Sequence, residues 1–372
     1  MAATPPAGFS YGPTVHAGAG AVRRLPALLP PGRVLFVTDR GVRGAGLADA
    51  ILAELDAVLF DTVEPDPSRA TLEAAVEAGR AVGVSAVVGF GGGSPMDVAK
   101  LAAYLLGSGD DLDAIWGVDK AGGRALPLVL VPTTAGTGSE ATPVSVITLP
   151  DGEKRGVNSR ALVPGVAILD PALTVGLPRH VTAATGVDAM VHAIEATTSA
   201  RLRNPVSNAL AAEALRLLGA NLVTACDEPG DLQAREAMLV GAHLAGVAFA
   251  NAPCAGVHAL AYPLARYGLP HGVTNALTLA GVLRHNLPAA APDYALMAAQ
   301  VDPALRDGDG LIAAMEGLIA RVGLPRRLRD AGVPEGDLPE LAAEAMKHQR
   351  LLVNNPLPIG EADALRMYRD AW

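Results

Sequence analysis

The sequence has few cysteines and few aromatic residues, and both shortages narrow the class of protein. Cys226 and Cys254 are the only two cysteines among 372 residues, too few for a disulfide framework and typical of a reducing compartment. Aromatic residues make up 3% of the chain, whereas 50% of it is hydrophobic. This composition indicates a water-soluble α/β protein with packed helices, and its length allows two domains.

The chain also lacks an excess of positive charge and a long apolar run. Its formal net charge is −9, so we expect no nucleic-acid partner, and no basic cluster suggests an anionic membrane surface. No charged-then-apolar leader follows Met1, and no apolar run approaches the roughly 18 residues of a membrane helix. We therefore expect a cytoplasmic protein without a membrane span.

Short apolar runs alternate with helical periodicity through the first half of the chain. Helices are expected at about 45–55 and 69–82, and nearly every segment after residue 171 has helical periodicity, punctuated by prolines that include Pro288. The alternation predicts a layered, parallel α/β domain followed by a helical domain, with the boundary near 171–180. The predicted strands are 33–38, 57–60, 86–90, 127–131, 144–148 and 166–169.

A glycine run, Gly91–Gly93, directly follows a predicted strand, and Pro95 stands near the first turn of the next helix. A backbone without Cβ atoms can approach an anion closely, and the free N–H groups of a helix start stabilise its charge. A dinucleotide pyrophosphate is the anion expected to bind at such a turn. Such turns also serve tight packing alone, and this one lacks the G-x-G-x-x-G spacing of the usual dinucleotide fingerprint.

Two other features favour a nucleotide in this half. Asp39, at the end of an earlier strand, is placed to accept hydrogen bonds from a ribose, and its charge would repel a 2′-phosphate, which favours NAD over NADP. The loop Pro132–Glu140 is rich in hydroxyl groups that suit phosphate and ribose oxygens. Alternatively, Asp39 is an ordinary aspartate in a turn, and Pro132–Glu140 is only a surface loop.

Four residues in the second half form a candidate metal site. Asp188 and His192 are four residues apart in a run with helical periodicity, so both project from one helix face, and His258 and His271 follow in a later segment. One carboxylate and three imidazoles suit Fe(II) or Zn(II) better than calcium or magnesium. Each residue alone is more often structural, but an aspartate among apolar neighbours needs a compensating charge. We expect catalysis between the two domains.

Several segments resemble the signatures of the iron-dependent (group III) alcohol dehydrogenases in order and spacing. The likeness extends from about Val34 to the Asn355–Pro358 segment and rests on the motifs Phe90–Lys100, Pro132–Glu140, Ala184–Glu195 and Pro270–Gly272. The resemblance implies a Rossmann-like NAD-binding domain over 1–175 and an all-helical metal-binding and catalytic domain over 176–372, in the dehydroquinate synthase-like architecture. It also implies a catalytic divalent metal, usually iron and sometimes zinc, and a homo-oligomer.

The resemblance also assigns roles to individual residues. Asp39 matches the position that binds the ribose, and Lys154 matches a lysine near the nicotinamide. The metal ligands implied are Asp188, His192, His258 and His271. The cofactor-binding residues implied are Gly92, Gly93, Ser94, Asp97, Thr133, Thr134, Thr137 and Ser139.

The sequence departs from the family pattern near the expected substrate. Many relatives carry a second histidine four residues after the position of His258, where this chain has Tyr262, which either passes protons or only lines the pocket. Arg266 stands where glycine is common, and the loop up to Pro270 is one residue shorter. These departures affect the prediction of the substrate more than the prediction of the reaction.

The implied activity is NAD(H)-linked interconversion of a small primary alcohol and its aldehyde, with the metal polarising the substrate oxygen. A neutral substrate needs an apolar pocket, which residues around Phe249 could supply. Alternatively, Arg266 reaches inward to the carboxylate or phosphonate of an anionic semialdehyde. A maleylacetate reductase-like enzyme would lack the full metal set, glycerol dehydrogenases and dehydroquinate synthases match the loops less well, and a non-catalytic nucleotide-binding assembly protein is the remaining option.

Overall fold

The computed structural model describes residues 8–372 and divides the chain into two compact units. One unit is Tyr11–Gly176, and the other is Leu177–Trp372 together with residues 8–10. Ser10 is held in the helical unit by paired hydrogen bonds, because its N–H donates to Asn251 Oδ1 at 2.7 Å and its carbonyl accepts from Asn251 Nδ2 at 2.9 Å.

The first unit is built on a six-stranded sheet in which every pair of neighbouring strands is parallel. The strand order is β1-β9-β6-β4-β2-β3, and β5, β8 and β7 form a smaller mixed sheet. The predicted α/β class is confirmed. The strands of the described residues are β1 Thr14–Ala17, β2 Val34–Val37, β3 Ala57–Phe60, β4 Ala86–Gly91, β5 Gly117–Val118, β6 Leu128–Pro132, β7 Val144–Thr148, β8 Lys154–Asn158 and β9 Val166–Leu169.

Both faces of the large sheet are buried, which explains why its strands read as continuous apolar runs. Leu35 and Val37 of β2 belong to one apolar cluster, and Phe36 between them belongs to another on the opposite face. Arg69–Val82 (α4) and Gly93–Ser108 (α5) contribute to the first cluster. The short helices α1 Leu25–Leu28, α2 Arg40–Gly44 and α3 Asp49–Leu52 lie with the second cluster.

The second unit is helical throughout its described residues. Its first helix, Arg179–Thr198 (α6), is buried along most of its length, as expected for a helix that is apolar on all sides. The other helices are α7 Pro205–Asp227, α8 Leu232–Asn251, α9 Gly256–Ala261, α10 His271–Val301, α11 Gly308–Val322, α12 Leu338–Ala345, α13 Gln349–Leu352 and α14 Glu361–Ala371.

The structure corrects the expectation at five places. The segment 45–55 is not one helix, because α2 ends at Gly44 and α3 starts at Asp49, with Gly46 in the left-handed region between them. Pro288 does not separate two helices, since α10 continues through it and through Pro292. The strands β1, β5 and β8 were not predicted: β1 is four residues long with exposed ends, β5 has two residues, and β8 is polar at Lys154 and Arg155 and is a strand through its pairing with β7.

One helix of the described residues, α7, has the length and apolar composition of a membrane span. A second candidate arises only if α8 and Gly256–Tyr267 are joined across a bend of 100°. Either is weak evidence of a span, because helices packed inside a protein core pass the same test.

Candidate metal centre and nucleotide loops

Helix α6 presents one polar face inside the helical unit. Asp188, His192 and Glu195 are spaced by four and three residues, so their side chains project from the same side of the helix. All three are at least 95% buried, although their helical neighbours are mainly alanine, valine, methionine and isoleucine. A buried polar face of this kind requires partners that satisfy it.

The start of α10 is pressed against α6 at the same level. A Cβ atom added to Gly272 would lie 2.0 Å from the carbonyl oxygen of Ala184, which is one turn before Asp188. Only glycine allows this approach, and it brings His271, the first residue of α10, to the polar face of α6. His258 reaches the same place from α9.

The four predicted metal ligands converge on one carboxylate oxygen. The distance from Asp188 Oδ1 is 3.7 Å to His271 Nε2, 3.8 Å to His192 Nε2 and 4.0 Å to His258 Nε2. Ligands about 2.0 to 2.1 Å from a tetrahedral ion would be separated by roughly 3.4 Å. The observed separations are slightly wider than that, and the donor set of one carboxylate and three imidazoles fits a divalent transition metal.

The polar atoms around this point are incompletely paired within the described residues, which also fits an ion. His192 Nδ1 and Asn275 Oδ1 are buried, and neither has a hydrogen-bond partner there. Asn275 Nδ2 donates to Asp188 Oδ1 at 2.7 Å and lies 3.3 Å from His271 Nε2 and 3.4 Å from His258 Nε2. The amide therefore faces the same point as the proposed ligands.

The electrostatics favour the metal-binding protonation states of Asp188 and His192 but not of His258: burial acts to lower the pKa of His258, yet Cys254 and Glu195 outweigh it and hold this pKa well above its usual value. Burial opposes ionisation of Asp188, but the three imidazoles and the Asn275 amide outweigh it, so the pKa of this carboxyl lies below its usual value. Burial lowers the pKa of His192 to about 4, despite the nearby Asp188 carboxylate. An ionised carboxylate and a neutral imidazole are the forms that coordinate a cation.

Two further residues, Glu195 and Cys254, touch this cluster and were not predicted. Glu195 Oε2 lies 2.6 Å from His258 Nδ1, and Glu195 Oε1 accepts a hydrogen bond of 2.7 Å from the backbone N–H of Val257. The thiol of Cys254 lies within 4.8 Å of ring nitrogens of His192 and His258, and burial raises its pKa. The seven-residue spacing from Asp188 to Glu195 was the available signal, since it repeats the helix face.

Two of the three candidate substrate-side residues lie beside the cluster. The ring of Phe249 stacks on His192 with centroids 4.3 Å apart, and the ring of Tyr262 is 5.7 Å from His271. Tyr262 also meets His348 edge-on at 4.9 Å. Arg266 is not directed to the cluster.

The guanidinium of Arg266 forms ion pairs elsewhere in the helical unit. It pairs with Glu340 at 3.0 Å and also with Glu344, and nearly a third of its side chain is exposed. This pairing disfavours the alternative in which Arg266 reaches inward to an anionic substrate. The physical reason is that two carboxylates of α12 already neutralise the guanidinium near the surface.

In the first unit, three neighbouring strands deliver the predicted nucleotide loops to one edge of the sheet. The strands β2, β4 and β6 are adjacent and parallel, so Asp39, Gly91 and Thr133 follow them at the same edge. A Cβ atom added to Gly91, whose φ is +153°, would lie 3.2 Å from Asp39 Oδ2. The other oxygen of Asp39 caps α2 by accepting from the N–H of Val42 at 2.9 Å.

The glycine run lies against the hydroxyl-rich loop. A Cβ atom on Gly93 would lie 2.9 Å from Thr137 Cγ2, and one on Gly92 would lie 3.7 Å from Thr134. Gly92 precedes the first turn of α5, and Ser94 is half-buried in that turn. This space beside a helix start fits an anion such as a pyrophosphate.

The remaining predicted cofactor residues are held by the protein itself. Asp97 accepts from Ser139 Oγ at 2.6 Å and from the N–H of Val146 at 2.9 Å, and Thr133 donates its N–H to Gly91 at 2.9 Å. These residues fix the loops in place. The ammonium of Lys154 pairs instead with Asp66 at 2.7 Å.

Comparison with known proteins gives matches across both units. Residues 13–171 match the profile of iron-containing alcohol dehydrogenase, and residues 182–372 match the C-terminal profile of the Fe-containing alcohol dehydrogenase family. Long-chain-alcohol dehydrogenase 1 of Geobacillus thermodenitrificans is 38% identical over 97% of this chain and 96% of its own length.

Solved structures are similar over the same extent. A crystal structure of 1,3-propanediol oxidoreductase superposes with a TM-score of 0.93 at 35% identity, covering 99% of this chain and 100% of that one. Sulfoacetaldehyde reductase from Bifidobacterium kashiwanohense, solved in complex with NAD+, gives a TM-score of 0.89 at 30% identity over 98% of each chain.

These matches define an oxidoreductase of the alcohol dehydrogenase class, as the fold and the histidine cluster also indicate. The chain belongs to the iron-containing alcohol dehydrogenase family. The resemblance seen in the sequence motifs is thereby confirmed.

Proposed function

We propose that this protein interconverts a small primary alcohol and its aldehyde, with NAD(H) as the hydride carrier and a divalent ion, iron or zinc, at Asp188, His192, His258 and His271. The observation that carries the proposal is the convergence of three imidazole Nε2 atoms within 3.7 to 4.0 Å of Asp188 Oδ1. An ion bound there supplies Lewis acidity toward the substrate oxygen.

The preference for NAD over NADP rests on the edge of the parallel sheet. The glycine run and the helix start of α5 suit a pyrophosphate, and the carboxylate of Asp39 beside Gly91 suits the two hydroxyls of an unmodified ribose. A 2′-phosphate would meet the negative charge of Asp39. NAD bound there carries the hydride.

The residues next to the histidine cluster shape the space for the substrate. Phe249 and Tyr262 present ring surfaces beside His192 and His271, and such surfaces exclude water from the reacting carbon. We assign to the Tyr262 hydroxyl the movement of the proton that leaves the alcohol. A phenol can both accept and donate a hydrogen bond, which is what passage of a proton requires.

The substrate is proposed to be neutral. Sulfoacetaldehyde reductase, a relative of 30% identity, carries an anionic substrate in its name. In this chain the one arginine considered for that role, Arg266, is paired with Glu340 and Glu344. Arg266→Ala is therefore expected to leave the ratio of kcat/KM for a neutral and an acidic aldehyde unchanged.

Two wider assignments rest on less direct support. We place the enzyme in the cytoplasm because both cysteines are free and buried, which suits a reducing compartment. We also propose self-association, on the family resemblance.

The central test combines metal analysis with NADH oxidation across aldehydes. Asp188→Asn and His258→Ala are expected to lose bound metal and turnover together. His285→Ala is the matched control, because this half-buried histidine of α10 contacts the Pro358 carbonyl at 3.0 Å and Arg366 at 3.2 Å. Full turnover in a metal-free variant would contradict the mechanism, and tight metal binding without NADH oxidation for any carbonyl compound would favour a non-catalytic role.

A further inference from the structure

Glu195 is a buried carboxylate that has no place among the four proposed metal ligands. It is 3% exposed and lies on α6, one turn beyond His192. We propose that Glu195 is a positioning residue that fixes both the ring and the backbone of His258, so that His258 Nε2 is presented to the metal. This inference rests on the metal site of the proposed function and deepens it.

The first contact is with the ring. Glu195 Oε2 lies 2.6 Å from His258 Nδ1, a short separation that indicates a charge-assisted hydrogen bond. An ionised carboxylate accepts and cannot donate, so Nδ1 carries a proton and Nε2 is the nitrogen left to offer its lone pair to a metal. Nε2 is the atom that lies 4.0 Å from Asp188 Oδ1, on the side of the proposed ion.

The second contact is with the helix that carries His258. The helix α9 begins at Gly256, and Ala255, which precedes it, offers no side-chain cap. Its first free N–H groups are satisfied from distant parts of the chain: Gly256 donates to Asn355 Oδ1 at 3.2 Å, and Val257 donates to Glu195 Oε1 at 2.7 Å. The two oxygens of Glu195 therefore hold the helix and the ring together.

The charge of Glu195 also suits a divalent ion. Asp188 and Glu195 bring two buried carboxylates to three imidazoles that coordinate a metal in their neutral form. Two negative charges match one divalent cation, and a carboxylate behind a ligating histidine makes its other nitrogen a stronger ligand. The carboxylate therefore acts on the metal through His258 and without contact to it.

Glutamine at position 195 separates this role from simple packing. A glutamine side chain has nearly the same volume, but it has one acceptor oxygen, whereas both His258 Nδ1–H and Val257 N–H need an acceptor. Glu195→Gln therefore leaves one of these two donors facing an NH₂ group. Thr198→Ala is the control, because Thr198 is also buried on α6 and its hydroxyl bonds the carbonyl of Ile194 in the same helix.

The experiment measures Zn²⁺ affinity of the metal-depleted, full-length protein by competition with a chromophoric chelator. Glu195→Gln is expected to raise the Zn²⁺ dissociation constant by about 10- to 100-fold, and Thr198→Ala is expected to leave it unchanged. An unchanged constant in Glu195→Gln would overturn the proposal. The proposal would also be overturned if Cys254→Ala lost Zn²⁺ affinity while Glu195→Gln kept it, since the thiol would then hold the ring.

A second measurement covers the case in which Glu195→Gln does not fold. The ¹⁵N chemical shifts of His258 in the metal-depleted native protein are expected to show a protonated Nδ1, and an unprotonated Nδ1 would overturn the proposal. Asp188→Asn separates the two levels of inference. If Asp188→Asn binds Zn²⁺ as tightly as the native protein, the proposed metal site is wrong. If Asp188→Asn loses Zn²⁺ binding and Glu195→Gln keeps it, only the proposed role of Glu195 is wrong.

Discussion

Tyr262 stands where the family resemblance leads us to expect histidine, and its neighbours determine what a phenol can do there. Its ring lies between His271, a proposed metal ligand, and His348 on the outer side. This position suits passage of a proton away from the metal site. It also suits a passive wall, and removal of the hydroxyl separates the two roles.

Tyr262→Phe is expected to lower kcat by about 100-fold, the lower range for loss of a proton-transfer group, while the metal content stays unchanged. Tyr267→Phe is the control, because Tyr267 belongs to the same short helical segment and its hydroxyl bonds Asp337 at 2.7 Å. Steady-state kinetics with metal analysis of each variant measures both quantities. A kcat equal to that of the native enzyme would mean that Tyr262 only lines the pocket.

Gly272 decides how closely α10 approaches α6. Replacement by alanine would place a Cβ atom 2.0 Å from the Ala184 carbonyl oxygen, and neither backbone can move without displacing His271 or Asp188. Gly272→Ala is therefore expected to lower the free energy of unfolding by about 3 kcal/mol and to weaken Zn²⁺ binding.

Gly317→Ala provides the comparison for this substitution. Gly317 is exposed inside α11, and an added Cβ atom there has no neighbour within 4 Å among the described residues. Alanine should raise the free energy of unfolding by about 0.5 to 1 kcal/mol, because glycine is the poorer helix former. Urea denaturation of both variants measures the pair, and equal stability of Gly272→Ala and the native protein would show that the helices separate easily.

At the scale of secondary-structure elements, the buried Lys100 ties α5 to the start of the strand β7. Lys100 is fully buried, and its ammonium donates to Thr142 Oγ1 at 3.1 Å and to the Val144 carbonyl at 2.8 Å, with Asp97 Oδ1 3.8 Å away. Burial raises the pKa of Asp97 and lowers the pKa of Lys100 to about 8. The loops proposed for the nucleotide are anchored by Lys100 and Asp97.

The shift of Lys100 predicts a pH dependence of stability. Its pKa is about 8 in the folded state, against the model-compound value of 10.5 taken for the unfolded state, so between these values the unfolded chain binds more protons. The free energy of unfolding therefore rises with pH across this window, by up to about 1.4 kcal/mol per pH unit. Lys100→Met removes this titrating group. The free energy of unfolding of the native protein minus that of the variant should therefore increase from pH 8 to pH 10. Urea denaturation at both pH values measures it, and a constant difference would contradict the low pKa.

The elements that the sequence predicted are those whose apolar runs are long. The strands β2, β4 and β6 are buried on both faces, and α4 is an amphipathic helix capped by Ser68, so local pattern and tertiary environment agree. The strand β1 was missed because pairing with β9, and not its own composition, makes it a strand. The same holds for Pro288, which packing keeps inside α10.

At the scale of the whole molecule, metal binding should couple to stability. An ion that binds the folded chain and not the unfolded chain raises the free energy of unfolding according to its concentration and dissociation constant. Zn²⁺ at 100 times its dissociation constant should add about 2.7 kcal/mol to the metal-depleted protein. Chemical denaturation with and without Zn²⁺ measures this increase.

Two variants test whether the increase comes from the histidine cluster. Asp188→Asn is expected to abolish it, because the carboxylate is the common neighbour of all three imidazoles. Arg266→Ala is expected to keep it, because that side chain pairs with Glu340 and Glu344. An equal increase in Asp188→Asn would mean that zinc binds elsewhere.

The sequence by itself determined the fold class and the candidate residues of both sites. Alternation of apolar runs with helical periodicity is a local property, and the four-residue spacing of Asp188 and His192 already fixes two side chains on one helix face. The glycine run after a buried strand is local in the same sense. The order of the motifs along the chain indicated the protein family.

Only the tertiary structure decided which distant groups meet. His271 reaches Asp188 because Gly272 permits contact between two helix backbones, and His258 reaches it from α9, which also places Val257 and His258 beside Glu195. Arg266 is drawn to carboxylates more than seventy residues away, which no local pattern indicates. The physical reason is that hydrogen bonds and ion pairs depend on distances of a few ångströms, which long-range packing sets.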